Sequence, residues 1–218
     1  METLLKKVII SGQIDCLTGL HIGGSKDNVE IGGIDLPVIK RGIDKAPYIP
    51  GSSLKGKLRS LLQKAYGEAE FSQTGSPICA LFGATDGKGP NKDKKGNPSR
   101  LIVRDAYLTE DSAEELLKSE FTEMPYVEVK FENTINRITG TAEHPRQLER
   151  VPAKAKFQFE MVLDIFKNDN EEELISLLKK GIEFLEDDYL GGSGSRGYGQ
   201  VKFHVDWNNL VKKAIALK

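Results

Sequence analysis

The stretch Asp188-Tyr-Leu-Gly-Gly-Ser-Gly-Ser-Arg-Gly-Tyr-Gly-Gln200 contains five glycines, two serines and one arginine between a helical pattern and a strand pattern. We call residues 188–200 the glycine loop. Glycine allows close approach to the main chain, and successive bare N–H groups suit an anion such as phosphate. P-loops and dinucleotide fingerprints, however, follow a strand and open a helix. The position of this loop therefore excludes nucleotide hydrolysis and dinucleotide binding, and favours other phosphates, such as an RNA backbone.

The charge distribution agrees with a polyanionic partner. The net charge of the 218 residues is −1, but the charges are unevenly distributed. Residues 40–59 contain six basic residues and one acidic residue, and residues 86–104 contain six basic and two acidic residues. Residues 164–188 hold nine acidic and three basic residues. Segregation of this kind lets a near-neutral protein present one positive face to nucleic acid. Solvated surfaces without a partner are the alternative explanation.

No segment indicates export, a membrane span or a structural metal. The N-terminus lacks the apolar run of a signal peptide, and no stretch approaches the roughly 18 apolar residues of a membrane span. The two cysteines, Cys16 and Cys79, do not form a CxxC pair. We therefore expect a cytoplasmic protein with no membrane partner and no structural zinc.

The order of elements predicts an α+β fold. Strand patterns cover residues 4–18, 101–108, 126–131, 157–166 and 201–205, and helical patterns cover residues 53–65, 110–123 and 171–185. The main elements give the order βαββαβ, which predicts a ferredoxin-like fold with large insertions. Residues 19–50 form a functional loop insertion, residues 71–100 a flexible insertion with a low-complexity tract at 87–99, and residues 133–150 a projecting hairpin.

A helix with basic residues opens at Pro50-Gly51-Ser52-Ser53. Ser53 is the predicted N-cap, and leucines repeat along one stripe. Lys55, Lys57 and Arg59 lie in the first turns, where backbone amides favour phosphate. Lys55 and Arg59 share a face, whereas Lys57 points elsewhere. An ordinary solvated helix face is the alternative.

Several motifs, in order along the chain, resemble one known family. They are His21-Ile-Gly-Gly24, Ile34-Asp-Leu-Pro-Val38, Ile49-Pro-Gly-Ser-Ser-Leu-Lys-Gly-Lys-Leu-Arg59, Leu81-Phe-Gly83, Glu128-Val-Lys-Phe-Glu-Asn133 and the glycines of 191–199. Together they resemble the RAMP superfamily of CRISPR proteins, and within it the backbone ribonuclease subunit of type III-A (Csm) effector complexes.

The resemblance implies one RAMP domain over residues 1–218, shaped like a hand. The RRM-like palm carries insertions as fingers, and the hairpin at 133–150 serves as a thumb. Copies of the subunit form a filament along a guide CRISPR RNA, together with other type III-A subunits. Each copy pushes its thumb through the guide–target duplex and cuts the complementary target RNA once, so that the cuts are regularly spaced. The cleavage requires a divalent metal.

The resemblance also implies roles for individual residues. Asp35 matches the catalytic residue of the family, and we expect it to be the ligand of Mg²⁺ or Mn²⁺. Asp105 and Glu128 are either helpers at this site or ordinary ion-pair partners. Arg137 is expected at the base of the thumb, and Arg146 and Arg150 are further candidates for contacts with RNA or with a neighbouring subunit. The predicted RNA-binding residues are His21, Ser53, Lys55, Lys57, Arg59, Arg137, Gly192, Ser193 and Arg196.

Two other functions remain open from the residues alone. A lone loop aspartate is usually a turn residue, so the chain could be a noncatalytic RNA-binding scaffold of the same superfamily. A guide-processing endonuclease is the third possibility, and it would use histidine-based acid–base chemistry without a metal.

Overall fold

Nine strands and four α-helices make up the described part of the chain. The computed structural model describes residues 3–24, 34–67, 76–83, 98–120, 122 and 124–215. In chain order the elements are β1 (Leu4–Cys16), β2 (Tyr48–Ile49), α1 (Gly51–Tyr66), α2 (Pro77–Phe82), β3 (Leu101–Val103), β4 (Ala106–Leu108), α3 (Glu110–Lys118), β5 (Glu128–Ile135), β6 (Ala142–Arg150), β7 (Lys156–Phe166), α4 (Glu171–Asp187), β8 (Val201–Val205) and β9 (Val211–Ala214).

β1 is the central strand of an antiparallel sheet. It pairs with β7 on one side, and with β8 and β9 on the other. β7 also pairs with β3 and β4, and β2 pairs with β4, so the main strand order is β2-β4-β7-β1-β8. Helices and an antiparallel sheet in one domain are the α+β class, which confirms that prediction.

The alternating pattern of β1 forms one wall of the core. Val8, Ile10 and Ile14 are fully buried, as the strand period predicts. The apolar stripes of α1 and α4 lie in the same core cluster. At Gly181 of α4 a Cβ would lie 3.0 Å from Cδ1 of Leu62 in α1, so a residue without a side chain lets the two helices approach closely.

The start of α1 differs from the prediction. The helix begins at Gly51 after Pro50, and no side chain caps it locally, so Ser53 is not the N-cap. Instead the Gly51 N–H donates to the Asp105 carboxylate at 2.8 Å. Asp105 lies where the predicted strand at 101–108 breaks into β3 and β4. This break brings a distant carboxylate to the helix N-terminus, where it balances the helix dipole.

Part of the predicted flexible insertion at 71–100 belongs to the core. Residues 77–82 form α2, whose Ile78, Leu81 and Phe82 side chains are buried. Most of the low-complexity tract at 87–99 lies outside the described residues, as do residues 25–33 of the predicted functional loop.

The sequence patterns do not predict β2 or β9. β2 has only two residues, and all four residues of β9 are exposed, so neither shows a usable alternation. Among the residues that the structure describes, no helix is long and apolar enough to cross a membrane.

Candidate functional site

β5 and β6 form a separate two-stranded hairpin. Their pairing runs from Glu128 opposite Arg150 at the base to Ile135 near the turn, so the predicted hairpin at 133–150 is present but starts at Glu128. The Asn136 side-chain oxygen accepts from the Ile138 N–H at 2.9 Å and fixes the turn. The Ile138 side chain is 96% exposed. The hairpin therefore ends in an ordered tip with an apolar side chain in solvent.

Asp35 lies beside β6. It belongs to residues 34–40, which we call the Asp35 segment. The exposed Asp35 carboxylate accepts from the Gln147 N–H at 2.9 Å. Leu36 then forms a parallel bridge with Leu148, so the segment runs along the hairpin strand. The one carboxylate predicted to be catalytic is therefore held against the hairpin.

Glu149 also lies on β6, and its carboxylate bonds to the C-terminal part of the Asp35 segment. Glu149 is 3% exposed. Its carboxylate accepts from the Val38 N–H at 3.0 Å and from Lys40 Nζ at 2.8 Å. Sequence reasoning missed this residue, and no local pattern identifies a buried carboxylate in an otherwise polar hairpin.

His21 connects β6 to the glycine loop. Its Nδ1 lies 2.7 Å from the Glu149 carbonyl oxygen, and because a carbonyl only accepts, Nδ1 carries the proton. The His21 carbonyl accepts from the Gly192 N–H at 2.8 Å. His21 is half-buried between these two elements, with its ring orientation fixed by the bond to β6.

The glycines of the glycine loop are required mainly by contacts within the protein. Gly191 has φ +78°, and a Cβ there would lie 2.3 Å from the His21 carbonyl oxygen. Gly199 has φ +73°, and its Cβ would lie 2.0 Å from the Leu190 carbonyl oxygen. A Cβ on Gly194 would overlap the ring of Tyr189. The sequence suggested a backbone open to an anion, whereas these close approaches are to the chain itself.

A cluster of charges joins the glycine loop to the base of the hairpin. The Glu132 carboxylate on β5 accepts from the Tyr198 hydroxyl at 2.6 Å and from Arg146 Nη2 at 3.0 Å. Lys130 Nζ and Arg196 Nη1 lie 3.7 and 3.6 Å from the same carboxylate. The Tyr198 hydrogen bond, with the neighbouring cations, lowers the pKa of Glu132.

These residues, together with Arg150, form what we call the hairpin-base cluster. The Arg150 guanidinium lies 5.1 Å from the Tyr198 ring centre, and it pairs with Glu128. The side chains of Lys130, Arg146 and Arg196 are 39 to 53% exposed, so solvent reaches them. The cations exceed the carboxylates, which makes this surface suited to phosphate.

The cations of α1 point in different directions. Lys55 Nζ donates to Ser99 Oγ at 2.7 Å and to the Leu101 carbonyl at 2.6 Å, and burial followed by the charge of Arg59 lowers its pKa. Lys57 Nζ lies 3.3 Å from the Asp188 carboxylate and 3.7 Å from the Tyr189 ring centre. Lys57 therefore contacts the start of the glycine loop, while Lys55 holds the segment before β3.

The possible metal helpers are both engaged elsewhere. Asp105 accepts from the α1 N-terminus, and Glu128 pairs with Arg150. No group of three metal-ligating side chains occurs among the described residues. Of the three predicted carboxylates, Asp35 is the one that is exposed and bonded to a backbone N–H of the hairpin.

The structure brings part of the predicted site together. His21, Asp35, Gly192 and Arg196 are connected through β6 and the base of the hairpin. Ser193 lies beside them, because its hydroxyl accepts from Arg196 Nη2 at 2.7 Å. Arg137 lies on the exposed turn at the far end of the hairpin, so its expected place at the base is wrong, because the strand extends to Ile135. Their contacts with RNA stay predictions.

Comparisons with known proteins give a consistent result. A model of the RAMP superfamily matches residues 13–202. The CRISPR system Cms endoribonuclease Csm3 of Streptococcus thermophilus is 50% identical over 202 residues, which cover 90% of this chain and 87% of the relative. The protein of the same name from Methanocaldococcus jannaschii is 44% identical over 212 residues, which cover 92% and 80%. The Csm3-Csm4 subcomplex structure of the type III-A CRISPR-Cas interference complex matches with a TM-score of 0.61 and 35% identity, covering 97% of this chain and 82% of that one.

Proposed function

Because the chain belongs to the RAMP superfamily, we propose that it is a guide-RNA-binding backbone subunit of a type III-A CRISPR effector complex. In this complex it is an endoribonuclease that cuts guide-paired target RNA at regular intervals, one cut per subunit. Its partners are the guide RNA, the complementary target RNA, further copies of itself in a filament and other effector subunits. The complex is cytoplasmic. One observation carries the proposal of catalysis: an exposed aspartate, Asp35, is fixed on β6 in a chain 50% identical to a named endoribonuclease.

The strand order supports a ferredoxin-like palm. The sequence β1, α1, β3 with β4, β7, α4, β8 follows the βαββαβ order, and β1 and β7 are the two central strands. The separate hairpin of β5 and β6 then takes the role of the thumb. Its exposed Phe131, Ile135 and Ile138 side chains suit insertion between stacked bases.

The hairpin-base cluster suits binding of the RNA backbone. Its exposed guanidinium and ammonium groups match phosphate oxygens, and arginine can also stack on a base. Arg137 at the tip extends the positive charge along the hairpin. His21, Gly192 and Ser193 lie beside this cluster, where we expect them to line the path of the RNA.

RNA cleavage needs the 2′-oxygen in line with the phosphorus and the leaving 5′-oxygen. A duplex holds these atoms out of line, and splaying a nucleotide frees them at a cost of roughly a few kcal/mol. We infer that the hairpin supplies this distortion while β6 presents Asp35 to the displaced backbone. Cleavage and distortion then occur on the same element.

A divalent metal fits this arrangement if RNA supplies most of its ligands. One Asp35 oxygen bonds to the Gln147 N–H, and the carboxylate is otherwise exposed, so it can contribute a single ligand. Mg²⁺ retains several waters and often binds one or two carboxylates together with phosphate. When bound there, Mg²⁺ or Mn²⁺ would neutralise charge developing on the scissile phosphate. Asp35 would be its ligand from the described residues.

The test is cleavage of complementary RNA by a reconstituted complex. Asp35→Ala should abolish cutting without weakening target binding, and EDTA should stop the wild-type reaction. Asp44→Ala, which changes another exposed aspartate of the same loop, is the matched control and should cut normally. Normal cutting by Asp35→Ala would overturn the mechanism. No cutting by the wild-type complex would favour a noncatalytic scaffold, and metal-independent processing of the guide would favour a guide-processing enzyme.

A further inference from the structure

Glu149 is the most enclosed acidic residue near Asp35, and its hydrogen bonds converge on the loop that carries the aspartate. Besides the two bonds of its carboxylate, its backbone N–H donates to the Leu36 carbonyl at 3.0 Å. Its own carbonyl accepts from the His21 ring. A buried carboxylate is costly unless it is hydrogen-bonded and paired, and here Val38 and Lys40 provide both.

The Asp35 segment has two kinds of attachment to β6. The Asp35 carboxylate accepts from the Gln147 N–H, and the Leu36 backbone bridges to Leu148. The Glu149 carboxylate holds the Val38 N–H and Lys40 further along. The first attachment does not use the Glu149 side chain, but at Asp35 it is a single side-chain hydrogen bond, whose geometry depends on how the rest of the segment lies along β6. The second depends on a carboxyl oxygen that reaches as far from the backbone as that of a glutamate.

We propose that Glu149 is a positioning residue for RNA cleavage, one that sets the location of the Asp35 carboxylate through the Val38 N–H. This inference rests on the proposed catalytic function of Asp35. Glu149 itself does not contact the reacting atoms. It keeps the C-terminal end of the Asp35 segment against the hairpin, so that Asp35 and the distorted RNA stay in fixed geometry.

Two conservative variants separate geometry from charge. Glu149→Gln loses the charge and the acceptor of Lys40 Nζ, but its amide oxygen still reaches the Val38 N–H. Glu149→Asp keeps the charge but withdraws the carboxylate by one methylene, so the bond either breaks or pulls the segment out of place. A positioning role predicts that Glu149→Asp is the slower enzyme, whereas a role of the charge itself predicts the opposite order.

The experiment measures single-turnover cleavage at saturating target RNA in the reconstituted complex, with target affinity measured separately. We expect Glu149→Asp to cut about 10- to 100-fold more slowly, because small misplacements of reacting groups cost that much. Its affinity for target RNA should stay at the wild-type value. Glu149→Gln should keep most of the rate.

Asp169→Asn is the matched control, since Asp169 pairs with the buried Arg100 at 3.1 Å in another ion pair. It should lower stability but leave the single-turnover rate unchanged. A wild-type rate for Glu149→Asp, a slower Glu149→Gln, or an equal loss in Asp169→Asn would each overturn the proposal. Asp35→Ala tests the catalytic proposal separately from the positioning proposal. If Asp35→Ala is inactive while Glu149→Asp cuts normally, only the positioning role of Glu149 is wrong.

Discussion

Glu132 shows how one carboxylate can organise a basic surface. It holds Tyr198 from the glycine loop and Arg146 from the opposite hairpin strand. Hydrogen bonds to a charged acceptor are stronger than neutral ones, so both partners gain fixed positions. The cations around Glu132 are thereby oriented before any RNA arrives.

The lowered pKa of Glu132 predicts a pH-dependent contribution to stability. The pKa lies below its ordinary value of 4.5 in the folded protein, so the unfolded chain binds the proton more readily. The contribution is therefore complete above that ordinary value and is lost as the pH falls through the lowered pKa. Urea unfolding of the wild type and Glu132→Gln should show a difference in free energy that shrinks on acidification below about pH 4.5.

Glu110→Gln, at an exposed position of α3, serves as the control for this titration. A difference between the wild type and Glu132→Gln that stays constant down to about pH 3 would contradict the prediction.

At the residue scale, sequence motifs identify the residues of the site better than they identify the residues that hold them in position. Asp35 and His21 stand in recognisable motifs. Glu149 stands in none of them. Glu132 belongs to the motif at 128–133, but the motif does not identify its role, because the partners of Glu149 and Glu132, Val38 and Tyr198, lie 111 and 66 residues away in sequence. Only the fold brings such pairs together. Once the hairpin pairing is known, the position of Glu132 opposite Arg146 follows directly.

The N-terminus of α1 gives a prediction at the scale of the element. Asp105, and not Ser53, bonds to its first amide. Asp105→Ala should lower the free energy of unfolding by about 1 kcal/mol, the usual cost of removing a cap. Ser53→Ala should change it by less than about 0.5 kcal/mol. Denaturant unfolding of the two variants checks this order, and a larger loss in Ser53→Ala would contradict it.

The glycine loop allows a comparison of two glycines with similar backbone angles. Gly191 and Gly197 have φ +78° and +88°, but a Cβ on Gly197 meets nothing within 4 Å. Gly197→Ala should cost about 1–2 kcal/mol from the left-handed backbone alone. Gly191→Ala should cost more, because its Cβ collides with the His21 carbonyl.

Thermal unfolding measures both costs. Because His21 also bonds to Glu149, Gly191→Ala should in addition slow target cleavage by displacing His21. Equal costs for the two variants would mean that the loop adapts freely around His21, contrary to this prediction.

Among the elements, those with a clear period are predictable. β1, β7, α4 and β8 match their expected ranges closely because their apolar residues repeat at the strand or helix period. α2 escapes prediction because it is only six residues long, too short to show a helical period. The break between β3 and β4 escapes it because it depends on a tertiary contact with Gly51.

For the molecule as a whole, a net charge of −1 coexists with a local excess of cations at the base of the hairpin. Binding of guide RNA should therefore weaken as salt rises. Replacing Arg146 and Arg196 by glutamine should reduce the slope of log affinity against log salt by about 0.7 for each phosphate that is no longer neutralised. The measurement is a salt titration of guide binding. Lys118→Gln on α3, which is outside the hairpin-base cluster and pairs with Glu114, should leave the slope unchanged.

The pairing of β1 with β7, β8 and β9 has a consequence for synthesis. The ribosome makes residues 4–16 first, but their partners begin only at residue 156. At about 5–20 residues per second, β1 waits roughly 10–30 s for its first neighbour. During that time an alternating apolar strand has both edges unpaired, which invites association between nascent chains. Slowing translation before β7 should therefore raise the demand for chaperones and the aggregated fraction, so the central strand of the finished sheet is the most vulnerable part of the growing chain.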